Sequence, residues 1–194
     1  MKQIILSSSI VIALMMGSCN RKVTRVNPEK QIDLSGRWND VDSRMVADEM
    51  TKQILGEKWL SNFSQANSGK KPVVICGFIK NKSSEHIEAE TFIKDIERAF
   101  INSGLVTLVQ GGDKRQEIRG ERADQQENAA QSTMKKFGLE MGADFMLQGD
   151  INSIIDSYKR DKVVFYKINL ELSNLQTNEV VWLGDKELKK TVRN

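Results

Sequence analysis

Two cysteines, two prolines and one histidine are all that 194 residues hold of the types that build disulfide scaffolds, rigid stalks and metal or acid–base sites. With His86 alone in "SSEHIE", a histidine-rich metal site cannot be assembled, and no cysteine or second histidine stands at ligand spacing from it. A Ser-His-Asp arrangement would have to use the same residue, and no serine sits in a G-x-S-x-G turn. His86 is therefore expected to be a solvated loop residue, and no catalytic residue, metal or cofactor is assigned. Two prolines exclude a proline-rich extended stalk. Positive charge is short too: 29 Lys and Arg against 26 Asp and Glu leave a formal +3, without the basic stripe that nucleic acid demands. No nucleic-acid partner is expected. Nor does the chain hold an apolar run of the roughly 20 residues needed to cross a bilayer.

What the chain does hold begins at its start. "MKQIILSSSIVIALMMGSC" joins Lys2 to an apolar stretch over residues 4–16, diluted by Ser7, Ser8 and Ser9. That is the length of a signal-peptide hydrophobic region, too short for a span. Met16-Gly17-Ser18-Cys19 follows and resembles the bacterial lipobox, with Met in place of the usual Leu. The resemblance implies cleavage between Ser18 and Cys19, diacylglycerol on the Cys19 thiol, and a further acyl chain on the new amino group. The competing reading is a buried N-terminal element with an incidental cysteine. Two or more acyl chains anchor stably, at about 0.8 kcal/mol per buried CH₂. A lipidated Cys19 leaves Cys76 unable to form an intrachain disulfide. Cys76 lies in "PVVICGFIK" and is expected to be a small core side chain. Asn20, rather than Asp, follows Cys19, and "NRKVTRVNPEK" is basic. By resemblance to lipoprotein sorting signals, this implies the periplasmic leaflet of the outer membrane.

Residues 20–36 show no periodicity and read as a tether, spanning roughly 60 Å if extended and about 20–25 Å as a coil. The expected division is a signal peptide over 1–18, lipidated Cys19 and tether over 19–37, and one folded domain over 38–194. In that domain Val46, Met50 and Ile54, extended by Leu55, Trp59 and Phe63, predict a helix over 42–63 capped by Asp40 or Asp42. "VVICGFIK" reads as a buried strand. Ala89, Phe92, Ile93, Ile96, Ala99 and Phe100 form one face of a second helix, with Gly104 as its stop. "LVTLV" is a short strand closed by Gly111 and Gly112, and Asp113 is placed to cap a charged helix running to Asn128.

That charged helix reads either as a solvated face or as an element protruding towards a partner. Its Gly-rich entry "QGGDKRQ" reads as a capped turn rather than a phosphate site, because Asp113 would repel the anion. Met134, Phe137 and Met141 predict one more helix, ended by Gly142. Three strands close the chain. In the middle one Val164, Tyr166, Ile168, Leu170 and Leu172 alternate with Lys167, Asn169 and Glu171, so one face is buried and the other wet. The order predicts an α/β domain with a single mixed sheet of four to five strands, flanked by helices. Its first two strands are parallel and its last three form an antiparallel meander.

In this order the segments "DLSGRWNDVDSRMVADEM", "ERAFINSGLVTLV", "MKKFGLEMGADFMLQGDI" and "YKINLELSNLQTNEVVWLGDKELKK" resemble the LpoB family of penicillin-binding protein activators, over nearly all of the mature chain. Gly104, Gly142 and Trp182 stand at positions of the family's fold pattern. The resemblance implies a fold like the N-terminal domain of TolB. It also implies a non-enzymatic, monomeric lipoprotein held to the membrane by its lipid. Such a protein binds a bifunctional, class A penicillin-binding protein and stimulates peptidoglycan synthesis. It marks no partner-contact residues. The tether here is shorter and poorer in proline than the long proline-rich one of the enterobacterial members, which leaves a second reading: an envelope scaffolding lipoprotein with another protein partner.

Overall fold

The computed structural model describes residues 23–135 and 138–193. The chain forms two compact units, Met1–Gln31 and Ile32–Asn194. Ser18 and Cys19, and with them the expected cleavage and lipid site, lie outside the described residues, as does Phe137. The described part of the first unit holds a turn at Pro28, closed by Lys30 N donating to Asn27 O over 3.0 Å.

The second unit runs α1 (Asp40–Gly56), α2 (Lys58–Ala66), β1 (Val73–Asn81), α3 (Glu90–Ser103), β2 (Thr107–Val109), α4 (Gly112–Asn128), β3 (Phe145–Tyr158), β4 (Asp161–Asn174) and β5 (Val180–Arg193). The strands make one five-stranded sheet in the order β2-β1-β3-β4-β5. β1 pairs in parallel with both β2 and β3, and β3, β4 and β5 form the antiparallel meander. This is the mixed sheet that the alternation and helix spacing predict.

α1 and α3 pack on each other, and α1 also rests on β5. Val46, Met50 and Ile54 of α1 and Phe92, Ile96 and Phe100 of α3 meet Val74, Leu147, Ile151, Val164, Tyr166, Ile168, Leu170 and Leu172 of the sheet, all at 1% exposure or less. Full burial of each such side chain contributes roughly 1.5–3 kcal/mol. Cys76 packs partly buried against this core, as its apolar surroundings imply.

Four local features depart from the sequence expectation. The predicted 42–63 helix is two helices, broken at Glu57, whose ψ of 160° is extended. In an unbroken helix Trp59 would point about 140° away from Ile54. The break re-aims it, so that Trp59 Nε1 donates to Ile54 O over 2.7 Å and the ring meets Phe145 edge-on at 5.3 Å.

The cap of α1 is Asn39, not Asp40 or Asp42. Its Oδ1 accepts from Val41 N and Asp42 N, and Asp42 Oδ2 accepts in return from Asn39 N over 2.8 Å. Such a reciprocal capping box contributes about 1 kcal/mol. The cap position of α4 is Gly111, without a side-chain bond, and Asp113 lies in the first turn. Gly111 packs closely there: a Cβ would stand 2.9 Å from Ile75 Cδ1 and 3.3 Å from Cys76 O.

Among the described residues, the helix expected around Met134 and Met141 does not form. Residues 129–135 make a single turn, through Thr133 N and Met134 N donating to Ala130 O, and 138–144 are irregular. With no further core to cover, Met141 stays 58% exposed. The stretch is drawn along α4 by polar bonds instead. Asp144 then seats β3: its N–H donates to Val73 O and its Oδ2 accepts from Val73 N, both over 2.8 Å, while its carbonyl accepts from Leu175 N.

Candidate interaction surface

A sheet has two faces, and α1 and α3 cover only one. On the other, Ile75 and Met146 line a pocket of about 180 Å³ with Met141, Ala143 and Leu175. Further along the strands the face is open. Three cross-strand rungs lie there: Gln148–Glu171–Leu183, Asp150–Asn169–Asp185 and Asn152–Lys167–Glu187.

Each rung is internally bonded. Gln148 Nε2 donates to Glu171 Oε1 over 2.8 Å. Asp150 accepts from Lys82 Nζ at 2.7 Å, Asn169 Nδ2 at 3.1 Å and Asn152 Nδ2 at 2.5 Å. Lys82 first, and Asn169 after it, hold the Asp150 carboxyl below its ordinary range. Lys167 Nζ lies 3.0 Å from Glu187 and 3.5 Å from Asp185, and Glu187 chiefly raises its pKa. This part of the face is thus polar, with its charges held in place.

Phe78 and Leu183 stand out of it. They flank a shallow depression of about 250 Å³ floored by Gln148, Asp150, Asn169 and Glu171. Phe78 is 80% exposed and Leu183 70%. Strict alternation from Val74 and Cys76 would send Phe78 into the core. The register of β1 against β3 slips between Cys76 and Ile79, so Ile79 takes the buried place and Phe78 emerges on the open face. Re-aiming a side chain is what a bulge does.

The family model described as "Peptidoglycan-synthase activator LpoB" matches residues 42–188. The chain belongs to this family. Among solved structures, it is similar to the LpoB C-terminal domain from Escherichia coli at 17% identity, over 76% of this chain and 98% of that one, with a TM-score of 0.44. The corresponding domain from Salmonella enterica aligns at 18% identity over the same shares, with a TM-score of 0.40. The lipoprotein GNA1162 from Neisseria meningitidis aligns at 11% identity over 63% and 84%, with a TM-score of 0.39. No curated protein sequence matches the chain.

The His86 side chain is 88% exposed, its Nε2 2.6 Å from Glu88 Oε1. Among the described residues no group of His, Cys, Asp and Glu is placed to hold a metal, and no helix is long and apolar enough to cross a membrane. Burial pushes the Cys76 thiol up to about 12, which keeps it protonated at neutral pH.

α4 buries no residue. Two of its arginines are turned to the following segment: Arg119 clasps Glu140 through Nε at 3.0 Å and Nη2 at 2.9 Å, and Arg122 joins at 3.1 Å. Arg119 chiefly, with Arg122, holds the Glu140 carboxyl down at about 2. Sequence reasoning missed Phe78, because an apolar residue in an apolar strand carries no sign of a bulge, and missed Leu183, although its alternation with buried Trp182 and Gly184 turns it outward.

Proposed function

We propose that this protein is a lipid-anchored activator that binds a bifunctional, class A penicillin-binding protein and stimulates its glycan polymerisation. The observation that carries the reading is the family match over 42–188, nearly the whole folded unit. A signal peptide over 1–18, cleavage between Ser18 and Cys19 and acylation of Cys19 would hold it on the periplasmic leaflet of the outer membrane. The role is non-enzymatic: the domain binds the active form of the synthase better than the inactive one and shifts the population towards it.

The open sheet face is the contact surface that suits such a task. Phe78 and Leu183 are two apolar anchors on a pre-organised polar field, and anchors of that kind carry most of an interface's energy. A tether of roughly 60 Å at most requires a synthase that projects towards the outer membrane.

The deciding experiment measures glycan polymerisation by each class A synthase of the same cell, with and without residues 19–194. Stimulation by one of them is expected. Changing Phe78 or Leu183 to Glu should weaken binding by about 2 kcal/mol, near thirtyfold, with the melting temperature unchanged. No binding and no rate change with any synthase would reject the activator role and leave the scaffolding one.

A further inference from the structure

The long strands of the meander outrun the helices. Residues 154–158 of β3 are all exposed, and β3 and β4 join through the two-residue turn Lys159 and Arg160, with Lys159 at φ 53°. The result is a projecting β-tongue whose last rungs are Ser157–Lys162–Val192 and Tyr158–Asp161–Arg193. Its apolar side chains are uncovered: Ile154 is 66% exposed, Ile155 42% and Tyr158 73%. Lys159 Nζ rests 5.1 Å from the centre of the Tyr158 ring. Asp161 lies 3.6 Å from Arg193. That leaves Lys159, Arg160 and Lys162, with Lys189 on the open face, against Asp156.

The same end receives the chain as it enters the unit. Lys190 Nζ bonds Arg37 O at 3.0 Å and Asp33 at 3.3 Å. Tyr166 Oη donates to Gly36 O over 3.4 Å. Gly36 packs so closely on Val192, one rung from the tip, that a Cβ there would come 2.1 Å from Val192 Cγ2. Leu34 is 92% exposed beside it. From Cys19 to Asp33 the chain can span at most roughly 50 Å, and as a coil about 20 Å.

We infer that the tip of the β3–β4 tongue is a membrane-contact element that meets an anionic lipid surface end-on, with Tyr158 at headgroup level and Lys159, Arg160 and Lys162 against the lipid phosphates. The inference rests on the anchor proposed for Cys19, which brings this end of the unit within reach of the bilayer. The chemistry is that of a second membrane signal beside an acyl anchor: a basic cluster with an amphipathic aromatic residue. The contact orients the domain, fixing which way the open sheet face points.

The test uses residues 19–194 carrying Cys19→Ser, so that no lipid contributes, in flotation with vesicles. The protein should float with phosphatidylethanolamine–phosphatidylglycerol vesicles, release at high salt and stay down with phosphatidylcholine vesicles. Lys159→Glu, Arg160→Glu and Lys162→Glu together should lower the partition coefficient on the order of a hundredfold. In the same Cys19→Ser chain without the charge changes, Tyr158→Trp should add emission quenched by brominated lipid beyond any quenching of Trp38, Trp59 and Trp182, a readout independent of how the charge variant folds. Equal flotation of the triple variant, equal binding to neutral vesicles, or retention on purified peptidoglycan but not on vesicles would overturn the inference. The mass of the membrane-extracted protein reports acylation of Cys19 separately, so a failed anchor and a failed tongue are told apart.

Discussion

Lys190, near the end of the last strand, places its ammonium 2.6 Å from Asp42 Oδ2, in the capping box of α1. The Asp42 side chain is 4% exposed and that of Lys190 16%. One cation thus ties together the first helix, the last strand and the entering chain. Replacing Lys190 with Met leaves a buried carboxylate without its partner, at a cost of about 3 kcal/mol. Chemical denaturation should show that loss, with part of it recovered in the K190M/D42N double variant.

Two glycines should respond differently to the same methyl group. A Cβ on Gly184 would lie 2.2 Å from Trp182 Cζ2 and 2.7 Å from Gln53 Oε1, so Gly184→Ala forces the Trp182 ring and α1 apart. Overpacking of this kind costs about 3 kcal/mol, or roughly 10 °C of melting temperature. Gly104, at φ 64° with nothing within 4 Å, meets only backbone strain. Gly104→Ala should cost about 1 kcal/mol, and equal losses would contradict this account.

The Glu140 carboxyl, held at about 2 by Arg119 and Arg122, makes the seating of α4 dependent on pH. A depressed carboxyl stabilises above its ordinary unfolded value and loses that contribution as pH falls towards the folded one. Amide exchange in α4 should therefore accelerate as pH drops from about 4.5 towards 2, after correction for intrinsic rates. Glu140→Gln should produce the same acceleration at neutral pH. Since α4 buries nothing, the melting temperature of the unit should hardly change.

Cys76 should be silent. With its thiol pushed up to about 12, it should resist iodoacetamide at mildly alkaline pH in the folded Cys19→Ser protein. It should react at the ordinary rate once denaturant unfolds the chain. Rapid labelling of the native state would show that this part of β1 opens.

Much of the fold was legible because burial imposes a period. Val164, Tyr166, Ile168, Leu170 and Leu172 alternate along β4, and all five are buried at 1% exposure or less. Phe92, Ile96 and Phe100 recur at helical spacing, and all three face the core. Gly104 marked the end of α3 because its left-handed φ of 64° suits glycine. Periodicity failed where another interaction decided. Trp59 broke a helix to reach Ile54 O and Phe145, and the Met134 region gave up helix for contacts along α4. Asn39 took the cap because its side chain, not those of Asp40 or Asp42, reaches the free N–H groups.

By itself the sequence determined the order of the strands, the buried face of β4 and the family. These follow from local periods and from which residue types are present at all. Only the tertiary structure decided that Phe78 faces outward, that one sheet face is left open, and that the β3–β4 tongue shares an end with the entering chain. A register slip between two strands, and the closeness of Gly36 to Val192, join residues far apart in the chain. No local pattern of hydrophobicity encodes such a meeting, because it depends on how the strands align once the core has formed.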